Sequence, residues 1–324
     1  MTPVLDVEDL TIEIATRHGT VLAVDGVSLA IEAGEVLGVV GESGAGKSIT
    51  GTAILGLLEP PARLARGTIR LEGRRIDNLP EAEMRGLRGR SIGAVFQDPL
   101  TSLNPLIPIG RQITQTIMTH LPVSFSEARE RAYRLLSEVG IPAARERLQA
   151  YPHELSGGMR QRVVLALAFC CEPRLVIADE PTTALDVSVQ AQVIDVLKRL
   201  GREHGTAVML ITHDMGVIAE TADRIAVMYA GRQAEVGTAD DVLYRPRHPY
   251  TQGLMASIPT IEARRDELVQ IEGTMPRPGA LPTGCAFHPR CRDRLPRCAA
   301  ERPPLGTSGR AGAACWLAAS QATP

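Results

Sequence analysis

The sequence predicts an α/β fold with a mainly parallel core sheet, an N-terminal antiparallel β subdomain, a helical insertion and a loop-rich C-terminal extension. Three observations carry this. Compact apolar runs at Val36–Val40 and at residues 175–178, 207–211 and 225–228 read as strands buried on both faces. Helical patterns separate them, which is the order that lays helices over both faces of a parallel sheet. Beyond about Val236 the composition turns to Pro, Arg and Gly and the apolar periodicity fades.

Along the chain, Leu10, Ile12 and Ile14 alternate with polar residues, as do Val27, Leu29 and Ile31, the pattern of half-buried antiparallel strands. Val36–Val40 runs directly into GESGAGKS at residues 41–48, as a buried strand does when it feeds a tight turn and a helix. Between residues 99 and 162 the strand signal is replaced by helical pattern. Ser126 is the expected cap of a helix over 127–139 that Gly140 ends. Asp186 is the expected cap of another over 187–200, with Gly201 as its stop. The expected domains are 1–236, with the insertion at about 99–162, and an extension over 237–324.

The 35 basic and 37 acidic side chains leave a formal charge of −2, without the basic excess needed to hold nucleic acid through its phosphates. Four Phe, five Tyr and one Trp also leave little for stacking bases, so no nucleic-acid partner is expected. The longest apolar run, residues 163–171, falls short of the roughly 18 needed to span a bilayer. The start, MTPVLDVEDL, lacks the layout of an export signal, and a cytosolic setting is expected.

GESGAGKS fits the pattern G-x-x-x-x-G-K-S/T, in which glycines let the backbone curl so that successive N–H groups point inward at the positive end of a helix. Gly41, Glu42, Ser43, Gly44, Ala45, Gly46, Lys47, Ser48 and Ile49 are thus the expected cradle of a polyphosphate. Lys47 is placed to reach the terminal phosphates and the Ser48 hydroxyl to hold Mg²⁺. Lys47 and Lys198 are the only lysines among 35 basic residues, so the compact cation stands where phosphate binding wants it. Asp179 and Glu180 follow the apolar residues 175–178 and emerge at the C-terminal end of a strand, where open α/β sheets bind ligands. Asp179 is the expected Mg²⁺ partner, and Glu180 the base that polarises an attacking water.

Together with these, Gln97 in VFQDP, LSGGMRQ at residues 155–161, LVIADEPTTALD at 175–186 and His213 in ITHD resemble the ATP-binding subunits of ABC transporters, over about residues 4 to 237. Ser156, Gly157 and Gly158 precede a helix and offer a second anion-binding end. The resemblance implies a dimer, homo- or heteromeric, with ATP between one subunit's P-loop and its partner's signature residues Leu155, Ser156, Gly157, Gly158, Met159 and Gln161. It further implies that Asp186 lies at the dimer seam, that Gln97 links Mg²⁺ and water to the membrane subunits, and that His213 contacts the γ-phosphate. The family often has an adenine-stacking aromatic shortly before the first core strands; the local sequence here is TRHGTV, where His18, Arg17 and Val21 are the alternatives.

QDPLTSLNP at residues 97–105, YRPRHPYTQGLMASIP at 244–259 and the cysteine-bearing tail resemble the ATPases of oligopeptide and dipeptide permeases. The resemblance implies an ATP-hydrolysing subunit of a peptide importer, peripheral at the cytoplasmic face. Its partners would be two transmembrane permease subunits and, indirectly, an extracytoplasmic substrate-binding protein. A related nickel importer, a soluble ABC-type ATPase not coupled to transport, and a metal-centred regulatory module are the alternatives.

Of the six cysteines, Cys170 and Cys171 sit in an apolar helix end as small core residues. Cys285, Cys291, Cys298 and Cys315 follow the spacing C-x5-C-x6-C-x16-C on a segment with little core of its own, which a metal centre would hold together. In related permease ATPases this pattern resembles a [4Fe–4S] site; Zn²⁺ is the alternative, although close C-x2–4-C pairs are absent. His288 reads as a neighbour of this group rather than a ligand.

Overall fold

The computed structural model describes residues 2–98, 102–183, 185–257, 270–305 and 311–319. Residues 99–101 of QDPLTSLNP, where the insertion is expected to begin, lie outside these, as do Ala184 of LVIADEPTTALD and residues 258–259 of the permease-like segment. The strands are β1 (Leu5–Thr16), β2 (Gly19–Ile31), β3 (Val36–Val40), β4 (Ala62–Leu71), β5 (Arg74–Arg75), β6 (Ile92–Val95), β7 (Leu175–Asp179), β8 (Ala207–Ile211), β9 (Arg224–Tyr229), β10 (Arg232–Thr238) and β11 (Gly312–Ala313). The chain divides into two compact units, one holding the residues up to Ala30, Leu37–Asp77 and those from Thr212 on, the other Ile31–Val36 and Asn78–Ile211.

In the first unit the expected antiparallel subdomain is a sheet of order β2-β1-β4-β5. Strand β4 pairs with β1 from Leu5↔Leu71 to Ile14↔Ala62; its basic, weakly alternating sequence ARLARGTIRL gave no strand signal. All five residues of β3 are buried, and β3 runs parallel to β9. A turn through Ala230 and Gly231, both with positive φ, returns β9 into antiparallel β10. The tail closes this group by adding β11 to β10, Glu235 opposite Ala313 and Val236 opposite Gly312.

The second unit carries the parallel strands β6, β7 and β8, with β7 paired on both sides. Strand β6 is only four residues long, too short to show a period. The helical insertion includes Ile109–His120 and Phe125–Glu138. Ile109, Ile113 and Ile117 recur every fourth residue on one face and are fully buried, each contributing about 1.5–3 kcal/mol of transfer free energy. Cys170 and Cys171 are buried, as small core residues are.

Two helix boundaries differ from expectation. The cap of Phe125–Glu138 is Ser124, not Ser126, because Ser124 stands three residues before Glu127 and the pair satisfies each other's backbone N–H groups. The helix expected to stop at Gly201 runs over Val187–Glu203. Gly201 is instead a packing residue, since a Cβ there would stand 3.0 Å from Val208 Cγ2, and the left-handed glycine that turns the chain is Gly205, at φ 63°.

Candidate functional site

The phosphate loop grows out of β3. Its first residue, Gly41, has φ 151°, and a Cβ there would come within 2.2 Å of the Met228 carbonyl oxygen, so only glycine lets the loop pass β9. Gly46, in the left-handed region, starts the helix Lys47–Ile54 with no side-chain cap, so the positive end of the helix opens at the loop. Lys47 is 6% exposed, and its Nζ donates to the carbonyls of Gly41 at 2.8 Å and Glu42 at 3.1 Å.

The loop is also held from outside, by residues that no local motif marks. The Glu42 N–H donates to the hydroxyl of Tyr250 at 3.0 Å, and the Glu42 carboxylate accepts from Arg290 Nη1 at 2.9 and 3.2 Å. Tyr250 is fully buried, and burial raises its hydroxyl pKa well above the ordinary range, so it stays a neutral acceptor. It stands in the first turn of the helix Pro249–Ala256, capped by His248 through Nδ1, whose imidazole burial pushes down to about 4. In the sequence HPY at residues 248–250 carries only the family likeness, and Arg290 carries no signal beyond its place beside Cys291.

In the second unit, Asp179 ends β7 and Glu180 follows with φ 47°, a left-handed backbone that β-strand exits rarely give a carboxylate. Its N–H is tied to the Ile211 carbonyl at 2.8 Å, which fixes that conformation. The carboxylate is aimed by two donors: Gln97 Nε2 at 3.1 Å and the Thr183 hydroxyl at 3.0 Å, both to Oε2. The structure thus brings Gln97 and Glu180 together; Thr183 was not anticipated.

Ser156 caps the helix Gly157–Phe169, its Oγ accepting the Met159 N–H at 3.3 Å. Ser156 and Gly157 are exposed, whereas Leu155 and Gln161 are buried and support the loop from inside. A Cβ on Gly158 would stand 2.3 Å from Val189 Cγ1, so glycine admits the first turn of Val187–Glu203 against the signature. Asp186 caps that turn, accepting from Ser188 Oγ at 2.7 Å and Val189 N–H at 2.9 Å. The Ser188 hydroxyl first, then the Val189 N–H, hold its carboxyl below the usual range. His213 is exposed, just before Asp214, the cap of Met215–Thr221. Ser48, His18 and Arg17 are exposed, and Val21 is half-buried beside Gly279 of the tail.

Cys285, Cys291, Cys298 and Cys315 carry free thiols and line one small cavity with His248 and His288. Burial, and then the neighbouring Cys298 and Cys315, raise the Cys285 thiol pKa; burial raises that of Cys291 to about 11. His288 turns its Nδ1 to the Cys285 carbonyl at 2.9 Å. Among the described residues no three His, Cys, Asp or Glu side chains are arranged to hold one metal ion. The four thiols share one cavity wall without forming a preset metal-binding group among the described residues. No helix among the described residues is long and apolar enough to cross a membrane.

Comparison with known proteins places this geometry. Residues 24–183 match the family described as ABC transporter, and residues 234–298 the family described as oligopeptide/dipeptide transporter, C-terminal region. The chain is 46% identical over 321 residues to the dipeptide transport ATP-binding protein DppD of Bacillus subtilis (strain 168), covering 98% of this chain and 95% of that one. It is 48% identical over 301 residues to the oligopeptide transport ATP-binding protein OppD of Salmonella typhimurium (strain LT2), covering 93% and 89%. Among solved structures, a dimeric bacterial ABC transporter cassette, MJ0796, superposes with a TM-score of 0.65 at 27% identity, over 72% of this chain and 98% of that one. The same cassette is also known as a dimer in a post-hydrolysis state with ADP and Pi, at the same TM-score. With the phosphate loop, the aimed carboxylate and the capped signature helix, these likenesses make the chain a member of the ABC transporter ATP-binding proteins, in their oligopeptide and dipeptide branch.

Proposed function

We propose that this chain is the ATP-hydrolysing, energy-coupling subunit of an importer of di- and oligopeptides. The observation that carries the peptide reading is the match of residues 234–298 to the C-terminal region of oligopeptide and dipeptide transporters. ATP is held by the N–H groups of residues 41–49 and by Lys47. Ser48, Gln97 and Asp179 would hold Mg²⁺, which offsets charge on the phosphate oxygens. Glu180, aimed by Gln97 and Thr183, takes the proton of the water that attacks the γ-phosphorus as the bond to the ADP oxygen breaks. His213 contacts the γ-phosphate and Asp186 lies at the seam.

The exposed Ser156 end completes a partner's nucleotide site, so the working unit is a dimer of cassettes, with itself or with a related subunit. Binding of ATP favours the closed dimer, and loss of the γ-phosphate removes the bridge. Residues 1–236 form the cassette, and 237–324 the extension, whose Cys285, Cys291, Cys298 and Cys315 hold a [4Fe–4S] cluster in a structural role. The dimer docks on two membrane permease subunits at the cytoplasmic face, and an extracytoplasmic binding protein delivers the substrate.

Glu180→Gln should keep ATP binding and trap the dimer while turnover falls by roughly 100-fold or more; undiminished turnover would remove Glu180 as the base. Reconstitution with the co-purified membrane subunits should couple hydrolysis to peptide uptake, and coupling to nickel alone would overturn the substrate class. Anaerobically purified protein should be brown, with iron and acid-labile sulfide; equimolar zinc without iron would overturn the cluster.

A further inference from the structure

A cavity of about 430 Å³ lies within the first unit, and none of its lining residues belongs to the nucleotide motifs. Its size falls among small-molecule pockets, which run to roughly 300–1,000 Å³. Tyr229, Phe287 and Leu305 give it apolar wall, and Arg66, Arg232 and Arg302 give it charge. Arg232 reaches Asp25 Oδ2 at 2.9 Å and Arg302 reaches the same oxygen at 2.8 Å, while Arg66 pairs with Asp9 at 2.9 Å. Among these five groups three guanidiniums share two carboxylates, which leaves one positive charge in excess between them. Burial, and then repulsion from Arg232, depress the pKa of Arg302 despite its bonds to Asp25.

Gln233 also lines the cavity and is 6% exposed. Its Oε1 accepts the Ser28 N–H at 2.9 Å, which fixes the amide orientation and leaves Nε2 as a buried donor with no partner.

We propose that this cavity is a binding site for a small organic monocarboxylate with an apolar body. The carboxylate meets the guanidiniums of Arg232 and Arg302 where Gln233 lines the wall, and the body lies against Tyr229, Phe287 and Leu305. A single excess charge matches one carboxylate better than a doubly charged phosphate, and the apolar wall calls for an organic body. The site also has a path to the nucleotide loop: Gly231, beside Arg232, donates its N–H to the Ala45 carbonyl at 2.9 Å and accepts the Asp25 N–H at 2.8 Å.

The test uses the full chain, calorimetry and thermal unfolding, with N-acetyl-L-leucine as probe and N-acetyl-L-leucinamide as the same body without charge. The acid should bind with a Kd of about 1 mM or below and raise the unfolding temperature, and the amide should bind at least about tenfold more weakly. Arg302→Ala would disturb Asp25, so the deciding variant is Gln233→Glu, which keeps the acceptor for Ser28 and replaces the donor with an anion. It should weaken the acid by about tenfold or more while ATP affinity holds. Equal binding of acid and amide, acid binding indifferent to Gln233→Glu, or no acid binding up to about 10 mM would each overturn the site. Binding of inorganic phosphate in place of the acid would overturn the ligand class.

Discussion

The P-loop and the signature loop both open a helix toward an anion, yet they are built on different terms. The first has a left-handed glycine and no side-chain cap; its charge comes from buried Lys47, and Tyr250 and Arg290 brace it from the tail. The second is capped by its own Ser156, and none of its first three helical residues, Gly157, Gly158 and Met159, carries a charge. A helix end alone contributes about 0.3–1 kcal/mol to an anion, whereas a hydrogen bond to a charged group contributes about 1.5–3 kcal/mol. The difference fits the proposed division of labour, in which one loop holds the triphosphate and the other completes a site that already holds one.

The sharpest break of that contrast is Lys47→Ala, which should weaken ATP by roughly 100-fold, about 3 kcal/mol, in equilibrium binding; unchanged affinity would mean that the amides suffice. Next comes the brace. Buried His248 is neutral, with its imidazole lowered to about 4, while in the unfolded chain it takes a proton near pH 6.5. The unfolded state therefore binds more protons between these values, and the stability His248 contributes is present above about pH 6.5 and lost as pH falls toward 4. His248→Asn, which can still cap the helix, should remove about 2 kcal/mol of the acid destabilisation between pH 7 and 5, read from denaturant unfolding at both.

Arg290→Ala should cost about 1–2 kcal/mol of stability, discounted because Glu42 is partly exposed, with ATP affinity falling severalfold. No loss on either count would separate tail from loop. The smallest effect is expected at the signature: Ser156→Ala should cost about 1 kcal/mol in unfolding and leave ATP binding by the isolated chain intact while turnover falls. Loss of binding in the isolated chain would erase the contrast.

The cassette motifs were legible because the family match over residues 24–183 rests on particular residue types at fixed spacing, as around Lys47 and Glu180. The buried strands β3, β7, β8 and β9 were legible from apolar runs with clear ends. Strand β4 was not, since half its face is solvated and arginine-rich. Nor was the brace on the P-loop, because Glu42 and Arg290 stand 248 residues apart and no local pattern records such a pair. The four cysteines were read as a group and do gather around one cavity, but spacing along the chain said nothing of how far apart their sulfurs would stand.

Strand β11 has a consequence for handling the protein. Ala313 and Gly312 sit opposite Glu235 and Val236 on the margin of β10, so residues close to the chain's end act as a selvedge for strands laid down much earlier. Cutting the chain before Gly312 would strip that hem, present the bare amides and carbonyls of β10 to any passing chain, and turn a folded subunit into one that sticks to its own kind.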